Sequence, residues 1–123
     1  YVVAAPAFIS RLAQRQPRWS VNGLACAALP ELLATVDLAT WSKETARLRE
    51  QLVSVLHQHG LVTAPSDANW VLVVGPHLRR ELARQAVLVR DCTSFGLPGT
   101  VRIAVPTEDG LDRLGEALAR CQD

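Results

Sequence analysis

The feature that most constrains the fold is a change of hydrophobic period at Gly60. Before it, over residues 38–59, Trp41, Thr45, Leu48, Leu52, Val55 and Leu56 recur at three- and four-residue intervals. That is the spacing of one helical face. After it, apolar residues come in short runs, at 69–75, 87–90 and 101–105, parted by Gly- and Pro-bearing turns. A long helix followed by strand-length runs with further helices between them predicts an α+β layer, a small sheet backed by helices.

The remaining elements follow from local signals. Residues 1–5 read as a strand end. Pro6 suits the first position of a helix over 7–16, which Pro17 stops. Residues 18–22 form a loop. Residues 23–35, rich in Ala and Leu, read as a buried helix interrupted near Pro30. Asp37 marks the start of the long helix, and Gly60 its stop. Residues 61–63 are extended, and Pro65, Ser66 and Asp67 make a turn. The nearly continuous apolar run at 69–75 reads as a strand in a covered sheet. A short basic helix is expected over 76–85. A last helix opens at 106–109, with Leu111, Leu114, Leu118 and Cys121 as its inward stripe.

A chain of 123 residues with net charge +1 is sized for one domain, residues 1–123. Neither nucleic acid nor a membrane is expected as a partner, because there is no basic excess and no apolar run of about 20 residues. Cys26, Cys92 and Cys121 are widely spaced and odd in number. They read as free thiols in a reducing cytosol, with no metal-binding spacing. The sequence holds no Met and opens as if a strand were already under way. It is expected to be a fragment of a longer protein.

Arg90 and Arg102 are the principal candidates for chemistry. Each sits in an apolar β-run, where a guanidinium is costly unless it holds an anion. They either bind a carboxylate or phosphate in bidentate fashion, or pair with Asp91, Glu108 or Asp109. The loop 94–99 either presents backbone N–H groups to a phosphate or is only a hairpin connection. His57 and His59, two apart on a helix, point to different sides. Lys43, the single lysine, lies on the charged face with Glu44, Arg47, Arg49, Glu50 and Gln51. That makes it a poor candidate for a Schiff base.

Four segments carry a family resemblance. Residues 16–25 (Gln-Pro-Arg-Trp-Ser-Val-Asn-Gly-Leu-Ala), 65–70 (Pro-Ser-Asp-Ala-Asn-Trp), 89–95 (Val-Arg-Asp-Cys-Thr-Ser-Phe) and 101–105 (Val-Arg-Ile-Ala-Val) resemble the threonine-phosphate decarboxylases of cobalamin biosynthesis. These are close relatives of histidinol-phosphate aminotransferases among the fold-type-I enzymes that use pyridoxal 5'-phosphate (PLP). The Trp-Ser-Val-Asn and Arg-Asp-Cys-x-Ser-Phe wording favours the decarboxylase branch. The resemblance spans nearly the whole chain and implies the C-terminal small domain of such an enzyme, with its linking helices. It implies that Arg102 binds the substrate carboxylate and that Arg90 helps bind anionic groups. It places Asn69, Trp19, Ser20 and Asn22 near the active-site cleft. It further implies a phosphorylated amino-acid substrate, a cytoplasmic homodimer, and a PLP cofactor held mainly by residues upstream of Tyr1. On that reading the 123 residues alone catalyse nothing.

Three other readings use the same residues. One keeps the fold and changes the reaction to transamination of histidinol phosphate or a similar substrate. Another is a free-standing module that binds a regulatory anion through Arg90 and Arg102. In the last, the basic helix bearing Arg79, Arg80 and Arg84 meets an acidic partner.

Overall fold

A computed structural model describes residues 2–17 and 21–121. The chain divides into two compact units, Tyr1–Asp37 and Leu38–Asp123.

The first unit holds α1 (Pro6–Ala13) and α2 (Gly23–Thr35). Pro6 begins α1, where its missing N–H is not needed. The α1 helix ends at Ala13, before Pro17 acts. Asn22 caps α2 by accepting from the Ala25 N–H at 2.8 Å. Two expectations fail here. Residues 2–5 adopt no regular structure and belong to no sheet; an extended segment needs a neighbouring strand to satisfy its backbone. The α2 helix is neither buried nor interrupted: it contains no buried residue and runs through Pro30. Its leucines Leu24, Leu29, Leu32 and Leu33 are all exposed. Proline already holds a near-helical φ and removes a single backbone donor, so the helix tolerates it at local cost.

The second unit contains α3 (Leu38–Gln58), β1 (Trp70–Val74), α4 (Leu78–Arg84), β2 (Arg90–Asp91), β3 (Thr100–Ala104) and α5 (Glu108–Ala119). The strands form one antiparallel sheet in the order β1-β3-β2. Val71, Val73, Val101 and Ile103 point to one face and are buried with Leu52 and Leu56 of α3. Leu78 and Leu82 of α4, and Leu111, Leu114, Ala117 and Leu118 of α5, complete that core. Burying one such leucine fully contributes about 1.5–3 kcal/mol. The small sheet backed by helices is therefore the observed fold.

Among the described residues of this unit, the helices cover one face of the sheet. Along β1, buried and less buried residues alternate, whereas the apolar run predicted cover on both sides. Trp41 is 67% exposed although it shares the apolar stripe of α3. The helix outruns the sheet, and its core residues are confined to Leu52 and Leu56 near its C-terminal end. Strand β2 is also shorter and later than expected. Ala86 takes a left-handed φ of 57°, and the Val87 N–H returns to the Leu82 carbonyl at 2.9 Å. These residues close α4 before pairing can begin. Among the described residues no single helix is long and apolar enough to cross a membrane.

Candidate functional site

The open face of the sheet carries Arg90 and Arg102. The two are register partners across β2 and β3, so their side chains leave the same face. Leu72 is the partner of Arg102 on β1, and Trp70 lies two residues before it on the same face. Each arginine lies over a ring: Arg102 over Trp70 and Arg90 over Phe95, both at 5.6 Å from guanidinium carbon to ring centroid. That is within cation–π range.

Neither arginine forms an ion pair among the described residues. The carboxylates that could have neutralised them are engaged elsewhere or lie apart. Glu108 pairs with Arg47 at 2.7 Å, tying the start of α5 to α3. Arg47 also bonds Glu44 at 2.6 Å, a contact that lowers the Glu44 pKa and raises that of Arg47. Asp91 accepts from the Thr93 N–H at 2.8 Å. Hydrogen bonding to Thr93, helped by the charges of Arg79 and Arg90, holds the Asp91 carboxyl below its usual range. Two cations thus share one open sheet face, neither in a direct ion pair with a described residue.

The loop between β2 and β3 is a connector. The Phe95 N–H donates to the Cys92 carbonyl, Gly96 to Thr93, Leu97 to Cys92 and Thr100 to Leu97. Three of the loop's own donors, and the first of β3, are therefore committed internally, which favours the hairpin connection over the phosphate cradle. Gly96 and Gly99 take φ of 77° and 71°, which glycine accepts without strain. The short 3-10 turn Thr93–Phe95 puts Phe95 within reach of Arg90.

The head of β1 is fixed by a residue that the helical periodicity had assigned to the solvent face. Arg49 is only 16% exposed at its side chain and donates to the Ala68 carbonyl at 2.9 Å. Ser66 donates to the Trp70 carbonyl at 2.6 Å and accepts from the Ala68 N–H. Together they set where Trp70 begins the strand. Asn69 is exposed beside Trp70, and its carbonyl accepts from the Val105 N–H. Asn22 is engaged as the cap of α2, in the other unit. Trp19 and Ser20 lie outside the described residues. Lys43 is exposed on α3. Sequence reasoning missed Trp70, Phe95 and Arg49; the one local signal was an aromatic close in sequence to each strand arginine or turn.

The open face of this helix-backed sheet thus carries two arginines with no ion-pair partner among the described residues. Residues 1–118 match the family model for aminotransferase class I and II, and the chain belongs to that family of PLP-dependent enzymes. It is 38% identical over 125 residues to a histidinol-phosphate aminotransferase of Symbiobacterium thermophilum, covering 96% of this chain and 34% of that protein. It is 35% identical to the histidinol-phosphate aminotransferase of Halorubrum lacusprofundi, covering 97% and 34%. The chain therefore spans about a third of the length of the curated relatives it matches. Among solved structures, a Burkholderia pseudomallei protein described as an aminotransferase superposes with a TM-score of 0.75 at 31% identity, over 95% of this chain and 38% of that one. L-threonine-O-3-phosphate decarboxylase from Porphyromonas gingivalis superposes with a TM-score of 0.67, over 96% and 39%. At 24% identity that likeness shows the fold alone.

Proposed function

We propose that the full-length protein is a PLP-dependent decarboxylase of L-threonine O-3-phosphate, releasing CO2 to give 1-amino-2-propanol phosphate for cobalamin biosynthesis. On this reading residues 1–123 are its C-terminal small domain with the linking helices. The observation that carries it is the pair Arg90 and Arg102, register partners on one open face and in no direct ion pair with a described residue. Threonine phosphate brings two anionic groups a few bonds apart, which matches two adjacent guanidiniums. Arg102 takes the carboxylate and Arg90 helps hold the remaining negative charge. On the same reading Asn69 belongs to the cleft.

Holding the carboxylate with its bond to Cα across the cofactor plane selects loss of CO2 over loss of a proton. Bound PLP supplies the sink for the electron pair left at Cα. The single lysine, Lys43, is solvent-exposed on α3, so these residues do not furnish the covalent anchor. The cofactor belongs with the remainder of the protein, read as a cytoplasmic homodimer. The isolated 123-residue chain is accordingly inactive.

A second reading is transamination of histidinol phosphate, favoured by the 38% and 35% identical relatives. Histidinol phosphate has no carboxylate. Arg102 would then serve the dicarboxylate partner of the exchange, and Arg90 the phosphate. Product analysis on the intact, PLP-loaded protein separates the two. Evolution of CO2 from threonine phosphate, with no glutamate formed from histidinol phosphate and 2-oxoglutarate, supports the decarboxylase. The opposite pattern replaces it with the aminotransferase.

A further inference from the structure

The three-stranded sheet has two edges, and they are treated differently. The edge of β1 is covered: the Ala64 N–H donates to the Leu72 carbonyl, the Val74 N–H to the Val62 carbonyl, and Thr63 bridges Val73. The edge of β2 has no such cover among the described residues. The Cys92 N–H reaches the Thr100 carbonyl at 3.0 Å, and in the same register Arg90 faces Arg102 and Asp91 faces Val101. Antiparallel pairs alternate in their bonding. The backbone groups of Asp91, and of Val89 before it, therefore point away from β3. No backbone bond involving Val89 is made among the described residues.

Between that edge and α4 lies a groove of about 790 Å³ lined by His77, Arg79, Arg80, Arg84, Leu88 and Asp91, among others. The inner face of α4, Leu78 and Leu82, is spent on the core. Arg80 and Arg84 point outward one turn apart and form no ion pair with any described residue. Leu88 is 87% exposed beside them. An unpaired strand edge, two free cations and an exposed apolar side chain meet in one groove.

We propose that this groove docks an extended acidic peptide, which adds to the β2 edge as a fourth strand and sets its carboxylates against Arg80 and Arg84. The spacings agree. Four residues of helix rise about 6 Å, and two residues of strand about 6.7 Å. Carboxylates at alternate peptide positions are therefore spaced much as Arg80 and Arg84 are. The Asp91 carboxylate in the groove wall disfavours a compact polyanion such as a polyphosphate.

The test measures fluorescence anisotropy of a labelled peptide alternating glutamate and valine, added to the full-length protein. Binding is expected to weaken with salt, and by about tenfold or more in an R80E/R84E variant. A peptide with proline at the positions whose N–H would face β2 is expected to bind at least about tenfold more weakly, since proline donates no ladder bond. The milder Arg80→Gln variant gives a smaller loss in the same direction and guards against misfolding. Failure of the peptide to bind overturns the proposal, as when the rest of the protein already covers the edge. Equal binding of the proline peptide also overturns it, leaving only a charged patch. Sedimentation velocity identifies a groove closed by a second copy: R80E/R84E would then dissociate a dimer, and that too overturns it.

Discussion

Arg90 and Arg102 face each other across β2 and β3, each laid over an aromatic ring at 5.6 Å and neither joined to a carboxylate among the described residues. Like charges at directly opposed positions weaken strand pairing. Such a pair is understandable where a ligand supplies the missing negative charge, and the aromatic rings keep both heads extended toward it.

On the proposed function, replacing either arginine by glutamine in the full-length protein removes a charge-assisted contact of about 1.5–3 kcal/mol. The expected result is a fall of roughly ten- to a hundredfold in kcat/KM for the phosphorylated substrate. Arg102→Lys keeps the charge and loses the fork geometry, so it should recover only part of the loss. Steady-state kinetics check this, and unchanged constants in both glutamine variants would remove Arg90 and Arg102 from the site.

Trp70→Leu keeps an apolar residue at the head of β1 and removes the surface over which Arg102 lies. An exposed cation–π contact contributes about 0.5–1 kcal/mol. KM should rise about two- to fivefold, with thermal stability nearly unchanged. A KM identical to that of the parent enzyme would show that the ring does not orient Arg102.

The Asp91 carboxyl titrates below its usual value because it is hydrogen-bonded to Thr93. A folded-state pKa below the unfolded one contributes stability above the unfolded value, about pH 4, and that contribution is lost as pH falls through the folded value. Asp91→Asn lacks this contribution. Urea unfolding at neutral and strongly acidic pH should find the variant less stable at neutral pH, the gap closing in acid. A gap that stays constant with pH would refute this assignment.

Gly110 lies in α5, where a Cβ would come within 2.7 Å of the Pro106 Cβ. Proline's ring has little freedom to move aside. Overpacking costs about 1–3 kcal/mol, more than the roughly 1 kcal/mol that alanine gains over glycine within a helix. Gly110→Ala should lower the melting temperature, whereas a general helix-stabilising effect would raise it. Leu82→Ala, emptying a fully buried position, should lower stability further, by about 2–5 kcal/mol.

Much of this architecture was legible from local pattern. Leu52 and Leu56, Leu78 and Leu82, and Leu111, Leu114 and Leu118 fall at helical spacing, and each set is buried. Apolar side chains at three- and four-residue intervals form one face whatever lies across from it, so the change of period at Gly60 sufficed for the α+β class. Arginines inside apolar runs likewise marked 90 and 102. Pattern failed where burial depends on a distant surface, as for α2 and Trp41, and where a turn consumed the start of a run, as before β2.

What only the tertiary structure decided was which charges find partners. Glu108 was as available to Arg102 by sequence as to Arg47, yet it joins Arg47, 61 residues away. Arg49 left the solvent face to hold the Ala68 carbonyl. Sequence period is set by neighbours within a turn or two of the chain. Cross-strand register and helix–helix approach bring together groups separated by tens of residues, and those approaches left Arg90 and Arg102 without a direct ion pair among the described residues.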